Sequence, residues 1–145
     1  MNRSRRVVFD TGTLVSAALR HSSPADLALV LALREGVVCF NDVTLQHLYS
    51  VLNNRKWDRY QAKRTRVSFI DLLRGNAWYC PVSASDLATA RPPLRDKRSN
   101  LILALAAAAE ADAVVAIAPD LLVRKSWRRI PIVKPAEFVN WYDPA

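Results

Sequence analysis

Short runs of β-branched and other apolar residues alternate along this chain with longer segments of helical periodicity. The strand-like runs are apolar throughout, which indicates strands that are buried on both faces. Because helical segments separate them, we expect neighbouring strands to run in parallel with helices on both faces of the sheet. We therefore predict a three-layer α/β/α sandwich around a central, mainly parallel sheet of four or five strands. The whole chain, residues 1–145, is predicted to form a single domain.

Local sequence signals place the elements. The predicted strands are residues 6–9, 37–40, 77–80, 113–117 and 130–133. The predicted helices are residues 24–34 with Ser23 as N-cap, a segment that begins at Asn41 or Asp42, and residues 58–75, 99–109 and 135–141. Residues 81–93 are predicted to form a loop with one short helical turn.

The charge balance points to a polyanionic partner. The chain has 21 Lys and Arg against 13 Asp and Glu, a net charge of +8. Cys39 and Cys80 each lie in an apolar run without metal-ligand spacing, so we predict reduced core cysteines of a cytosolic protein. The apolar residues 101–118 include two acids and change from helix-like to strand-like composition, which favours a buried helix and strand over a membrane span. The basic residues 3–6 lead directly into the first strand without a signal-peptide pattern, and we expect a cytoplasmic protein with no membrane partner.

One carboxylate, Asp10, directly follows the first predicted strand, in the sequence VVFDTGTLVSA. An acid at the carboxyl end of a buried strand is where α/β folds place their chemistry. The triplet Asp-Thr-Gly resembles the catalytic turn of aspartic proteases, but those enzymes are β-rich and glycine-rich, whereas this chain has only 3 Gly. It also resembles the nucleophile loop of haloacid-dehalogenase-type phosphatases, which carry a second Asp where this chain has Gly12. Neither short match extends to the rest of the chain.

A third resemblance extends across the chain. The segment RVVFDTGTLVSAAL resembles the opening of PIN domains, specifically those of the toxin components of bacterial toxin–antitoxin pairs. NDVTLQHLYSVLNNRKW is similar to the second helix of that family. The buried helix, the fourth strand and the Asp-Leu-Leu of the family are similar to LRDKRSNLILALAAAAEADAVVAIAPDLL in this chain. The closing strand and helix of the family are similar to IPIVKPAEFV. The resemblance implies a PIN-like fold, an RNA substrate and an antitoxin protein partner.

In PIN domains, four carboxylates at the carboxyl edge of the sheet hold one or two Mg²⁺ or Mn²⁺ ions, which activate water to cleave RNA. Hard divalent ions require several such oxygen ligands. The resemblance implies that Asp10 is the first acid and that Asp96 is a remnant of the third cluster, whereas Asp120 follows the expected fourth position by two residues. Other residue types occupy the remaining functional positions of the family, namely Gly12, His47, Ser99, Asn100 and Ala118.

This departure from the family pattern weakens the predicted metal site. Asp10 and Asp96 are the predicted ligands if a metal binds, and Asp10, Asp96 and Asp120 are the candidate catalytic residues. Three cations, Arg95, Lys97 and Arg98, flank Asp96 and favour a phosphate over a divalent cation. We therefore expect metal-dependent cleavage to be weak or absent, with Mg²⁺ or Mn²⁺ as cofactor if the protein is active and otherwise none.

Two basic runs favour retained binding of RNA. Residues 55–74 contain seven basic and two acidic side chains, and residues 121–136 contain five basic side chains and no acid. On the predicted helix, Arg59, Lys63 and Arg66 recur at i, i+4 and i+7, as in a single stripe. Together with Arg95, Lys97 and Arg98, these runs predict a groove that follows a phosphate backbone.

Aromatic side chains accompany the basic runs. Trp57, Tyr60 and Trp127 lie within or beside them and are candidates either for base stacking or for covering the core. Two alternative functions stay open beside RNA binding with weak catalysis. One is an active Mg²⁺- or Mn²⁺-dependent endoribonuclease toxin. The other is a structural or regulatory homodimer that binds only a protein partner.

Overall fold

The computed structural model describes residues 5–88 and 92–142. The elements, in chain order, are β1 (Arg6–Phe9), α1 (Thr11–Leu19), α2 (Pro24–Glu35), β2 (Val37–Phe40), α3 (Asp42–Leu52), a 3₁₀ turn (Arg55–Trp57), α4 (Lys63–Asn76), β3 (Trp78–Tyr79), α5 (Ala84–Ala88), α6 (Lys97–Ala108), β4 (Ala113–Val115), α7 (Pro119–Arg124), β5 (Ser126–Trp127), β6 (Ile130–Val133) and α8 (Pro135–Asn140). Residues 3 and 4 of the basic start and residues 89–91 of the predicted loop lie outside the described residues. In the part of the chain that is described, no helix has the length and apolar character to cross a membrane.

The six strands form one sheet in the order β3-β2-β1-β4-β6-β5. β1, β2, β3, β4 and β6 run in parallel, whereas β5 pairs with β6 in the antiparallel direction. The predicted, mainly parallel sheet is confirmed, and all five predicted strands are present. The sixth strand, β5, was not predicted because its two residues carry no periodic signal.

Apolar side chains on the two faces of the sheet build two separate cores. Val7 and Phe9 of β1 face the layer formed by α1, α2, α3, α4 and α8. Val8, between them, faces the opposite layer, which includes α6 and α7. Successive strand residues point to opposite faces, so an apolar strand with both faces covered supplies both cores. The predicted three-layer arrangement is therefore confirmed.

Several helices begin at the predicted residues because short polar side chains cap them. Ser23 accepts a hydrogen bond from Asp26 N and caps α2, and Asn41 accepts one from Thr44 N and caps α3. Asp96 caps α6, which starts two residues earlier than predicted.

The predicted helix over residues 58–75 is wrong in its first third. Residues 58–62 form irregular structure after the 3₁₀ turn, and α4 begins only at Lys63. The carbonyl of Gln61 accepts a hydrogen bond from the side chain of Arg66, and the side chain of Asp58 accepts another. These side-chain contacts stabilise a loop where the sequence pattern predicts a helix.

Candidate functional site

A cleft of about 320 Å³ opens at the carboxyl edge of the sheet, beside the end of β1. We call it the Asp10 cleft. Its lining includes the polar side chains of Asp10, Thr11, His47, Asp96, Arg98 and Ser99, and the rest comes from Gly12, Val15, Val51, Ile102, Ala118 and Leu121. These residues belong to four helices and to the ends of two neighbouring strands, as expected for the functional edge of a parallel sheet.

Asp10 is 3% exposed and uses both carboxylate oxygens to hold the fold together. Oδ1 accepts hydrogen bonds from the Thr13 backbone N, at 2.9 Å, and from the Thr13 hydroxyl. Oδ2 accepts hydrogen bonds from the backbone N of Ile117, at 3.1 Å, and of Ala118, at 2.9 Å. A carboxylate offers about four acceptor positions, and protein donors occupy all of them here. Asp10 therefore caps α1 and anchors the segment after β4.

Asp96 is the second acid of the cleft and lies at its exposed rim. It caps α6 by accepting a hydrogen bond from Arg98 N at 2.9 Å, and its Oδ1 lies 3.3 Å from Arg98 Nε. The backbone N–H of Arg98 is the main reason why the pKa of Asp96 lies below its usual value. Asp96 is thus an anion already paired with the cation two residues away.

His47, which the sequence resemblance aligns with an acid of the family, is held between two partners. Its Nε2 lies 3.1 Å from the Arg98 guanidinium, and its Nδ1 lies 3.0 Å from Thr11 Oγ1. Because a guanidinium only donates, Nε2 accepts, and a neutral ring then carries its proton on Nδ1 and donates to Thr11. Burial, followed by the charge of Arg98, lowers the pKa of His47, whereas Asp96 raises it. A neutral imidazole and a cation therefore stand on this wall of the cleft.

Ser99, in the lining of the cleft, pairs with Asp120. The buried hydroxyl of Ser99 donates to Asp120 Oδ1 at 3.0 Å. The second oxygen, Asp120 Oδ2, is buried and has no hydrogen-bond partner among the described residues. The structure thus brings Asp120 next to the cleft through Ser99, although Asp120 does not line it.

Asn100 has a structural role in the segment before α6. Its Oδ1 accepts a hydrogen bond from Leu94 N at 2.8 Å, and its Nδ2 donates to Leu94 O at 2.9 Å. Both ends of the amide are therefore used to fix the chain that leads to Asp96.

Gly12 and Ala118 leave the floor of the cleft without polar side chains. A Cβ atom at Gly12 would lie 3.1 Å from two side-chain carbons of Ile117. A larger residue there requires Ile117 to move. Ala118 contributes its backbone N–H to Asp10 but only a methyl side chain.

This set of groups does not fit a divalent metal ion. Mg²⁺ and Mn²⁺ require several oxygen ligands with available lone pairs. Asp10 is saturated by N–H and O–H donors, Asp96 is paired with Arg98, and His47 faces Arg98 as well. Across residues 5–88 and 92–142, no three His, Cys, Asp or Glu side chains are grouped so as to hold a metal ion.

The predicted basic stripe over Arg59, Lys63 and Arg66 is wrong. Arg66 is fully buried, and its side chain donates to Leu52 O, Gln61 O and Asp58 Oδ1. Arg59 precedes α4 and therefore has no helical register with Lys63. Arg59 and Lys63 are exposed and remain candidate contacts for nucleic acid, whereas Arg66 is a core residue.

Two of the five cations of the second basic run, Arg128 and Arg129, lie away from the cleft. Arg128 and Arg129 form the turn between β5 and β6, at the amino end of β6. Because β6 is parallel to β4, and β4 to β1, this turn lies at the edge of the sheet opposite Asp10. By contrast, Arg95, Lys97 and Arg98 are exposed beside the Asp10 cleft.

Some residues of the site were not predicted. Thr13 supplies two of the four hydrogen bonds of Asp10, and Thr11 fixes the ring of His47. The spacing Asp10-x-x-Thr13 is the signal of a helix N-cap and could have revealed the first contact. No local signal marks the pairing of Thr11 with His47, because 36 residues separate them.

Comparison with known proteins identifies the family. The sequence model of the family described as "PIN domain" matches residues 6–116. That match covers well over half of the chain, so this chain belongs to the PIN domain family, as the sequence resemblance implied. No curated protein sequence matches the chain significantly.

Solved structures show the same fold. One similar structure is VapBC2 from Rickettsia felis bound to a DNA fragment from their promoter, with a TM-score of 0.64 and 15% identity over 88% of this chain and 96% of that chain. Another is VapC20 from Mycobacterium tuberculosis, described as a toxin that cleaves the sarcin-ricin loop. Its TM-score is 0.60, with 14% identity over 86% of this chain and 98% of that chain. At these identities the likeness establishes a shared fold.

Proposed function

We propose that this chain is a PIN-domain protein of the toxin type found in bacterial toxin–antitoxin pairs, in which metal-dependent RNA cleavage is weak or lost and RNA binding is retained. The sequence resemblance to that toxin group supports the first part. The chain also shares its fold with VapBC2 and with VapC20, a toxin described as cleaving the sarcin-ricin loop. This shared fold agrees with the first part of the proposal.

The observation that carries the second part is the contact between Arg98 and His47 inside the Asp10 cleft. A cation and a neutral ring occupy the wall where the family pattern places an acid. Such a wall repels a divalent cation and attracts a phosphate. In this proposal Asp10 and Asp96 are remnants of a metal site, and Asp120 is held by Ser99.

RNA binding in this proposal is electrostatic and independent of metal. The exposed cations beside the cleft, Arg95, Lys97 and Arg98, contact phosphates of the RNA backbone. Such binding weakens steeply as salt is added because bound counterions are released. The proposal includes a cytoplasmic location, an antitoxin as protein partner and a homodimer.

Calorimetric titration of Mn²⁺ into the purified protein tests the lost metal site. We expect no heat of binding, and no cleavage of labelled RNA in Mg²⁺ or Mn²⁺. The matched variant is Asp96→Ala, because Asp96 is exposed and removal of one helix cap should cost only about 1 kcal/mol. Heat that disappears in Asp96→Ala, or cleavage that EDTA stops, contradicts the proposal.

Titration of labelled RNA at several salt concentrations tests the retained binding. The affinity should be equal with and without EDTA. Arg98→Ala should reduce the slope of log affinity against log salt by about one. Arg129→Ala, at the opposite edge of the sheet, should leave the slope unchanged. Equal slopes for the two variants contradict a phosphate site at the cleft.

An active endoribonuclease is the second candidate, and one observation favours it. Asp120 Oδ2 is buried next to the cleft without a hydrogen-bond partner among the described residues. Such an oxygen is a potential ligand for a cation. The same calorimetry distinguishes the candidates, because an active enzyme requires uptake of Mg²⁺ or Mn²⁺.

A further inference from the structure

Residues 53–62, which connect α3 to α4, form a loop that carries Trp57 and Tyr60. We call it the Trp57–Tyr60 loop. The buried side chain of Arg66 contacts the loop and the residue before it. Its Nε donates a hydrogen bond to Leu52 O at 2.6 Å, and its Nη2 donates one to Asp58 Oδ1 at 2.7 Å. Gln61 Nε2 donates to Ala18 O at 3.1 Å and attaches the loop to α1. Side-chain contacts therefore attach the loop to α4 and to α1.

The loop is continuous with the wall of the Asp10 cleft. Val51 lines the cleft, one helical turn after His47 on the same face of α3. The indole N–H of Trp57 donates to the carbonyl of Val51 at 3.0 Å. A chain that leaves the cleft over Val51 would therefore meet the Trp57–Tyr60 loop next.

The outer face of the loop presents aromatic rings and cations together. Tyr60 is 71% exposed, more than any other aromatic side chain of the described residues. The Arg59 guanidinium lies 5.9 Å from the centre of its ring, and Lys56 Nζ lies 4.8 Å from the centre of the Trp57 ring. The nearby acid, Asp58, is paired with Arg66, so the face is positive.

We propose that the Trp57–Tyr60 loop is a stacking platform for single-stranded RNA at the rim of the Asp10 cleft. One base stacks on the Tyr60 ring, while Arg59 and Lys56 contact the flanking phosphates. An exposed ring combined with cations matches a partner that has both aromatic faces and negative charges, which a single-stranded nucleic acid offers. An acidic peptide would use the charges but not the ring. This inference rests on the proposed RNA binding.

The proposed stacking platform is tested by fluorescence anisotropy with three labelled polyanions. These are single-stranded RNA, duplex RNA and a heparin fragment. Tyr60→Ala should weaken binding of the single strand by roughly tenfold, because that is the usual effect of removing one stacked base contact. Duplex RNA and heparin should bind Tyr60→Ala as they bind the natural protein, since they offer no unstacked base. Tyr60→Trp should restore binding of the single strand.

Tyr79→Ala is the matched control. Tyr79 is also exposed, at 52%, but lies on the edge strand β3. If the natural protein binds the single strand and Tyr60→Ala binds it as well as Tyr79→Ala does, the platform is wrong and the proposed function stands. Equal weakening of all three polyanions by Tyr60→Ala also contradicts stacking. If the natural protein binds no RNA at all, the proposed function itself fails.

Discussion

Arg98 donates a hydrogen bond to Nε2 of His47 across 3.1 Å, although 51 residues separate the two in the chain. The bond links the start of α6 to the middle of α3 over the Asp10 cleft. It also fixes the ring of His47 as neutral, with its proton on Nδ1 facing Thr11. In the proposed function, this pair is the part of the cleft wall that favours a phosphate over a divalent cation.

The pKa of His47 predicts a loss of stability in mild acid. Burial, and then Arg98, lower this pKa in the folded protein, so the unfolded chain binds a proton on His47 at higher pH than the folded one. The contribution to stability is complete above the unfolded pKa and decreases as the pH falls through about 6.5. Urea unfolding between about pH 7.5 and pH 5.5 should show a smaller decrease for His47→Gln than for the natural protein. His21→Gln, which changes an exposed histidine, should behave as the natural protein does.

Asp10 should tolerate substitution much less than Asp96, although both cap helices. In Asp10→Asn an NH₂ group would face N–H or O–H donors that now bind the carboxylate, and we expect a loss of about 2–4 kcal/mol in the free energy of unfolding. Asp96→Asn should cost less than about 1 kcal/mol, because asparagine is an equally good N-cap. Urea denaturation measures both. Similar losses would contradict the four hydrogen bonds of Asp10.

Arg66 should act as a core residue. Arg66→Ala removes the donors to buried carbonyls and leaves a cavity, so the free energy of unfolding should decrease by about 2–4 kcal/mol. Lys63→Ala, one turn earlier on the exposed side of α4, should change it by less than about 0.5 kcal/mol. Chemical denaturation distinguishes the two. An unchanged free energy of unfolding in Arg66→Ala would contradict this core role.

The β5–β6 turn should be stabilised by glycine. Arg128 and Arg129 have φ of 50° and 67°, in the left-handed region that disfavours non-glycine residues. Arg129→Gly should increase the free energy of unfolding by about 0.5–1 kcal/mol. Arg129→Ala keeps the Cβ atom and should give no increase in thermal unfolding experiments. RNA affinity should be unaffected by the glycine variant, since this turn lies away from the Asp10 cleft.

Introducing acids into the cleft should create a metal site. The double variant His47→Glu with Ser99→Asp places carboxylates at two positions for which the sequence resemblance implies acids in the family. We expect calorimetry to detect Mn²⁺ binding in this variant and none in the natural protein. The neutral pair His47→Gln with Ser99→Asn is the control and should bind no Mn²⁺. Equal uptake by the natural protein would show that its own acids suffice.

The sequence alone predicted most of the architecture. Apolar runs separated by helical patterns predicted the parallel sheet, and Ser23 and Asn41 marked the starts of α2 and α3. These signals are local: burial on both faces and the need to cap a helix act on residues within one or two turns of each other. The position of Asp10 at the end of β1 followed from the same kind of signal.

Only the tertiary structure decided how the charged side chains are used. Arg66 was predicted to belong to a basic stripe because it follows Arg59 and Lys63 at helical spacing, yet its guanidinium binds carbonyls at the end of α3 and in the following loop and lies in the core. Asp10 receives two of its hydrogen bonds from residues more than 100 positions away, which no local pattern encodes. The sheet direction, set by pairing of distant strands, placed Arg128 and Arg129 at the edge opposite the cleft. Sequence patterns specify which residues face the core, whereas the partner of each polar group depends on which distant segments the fold brings together.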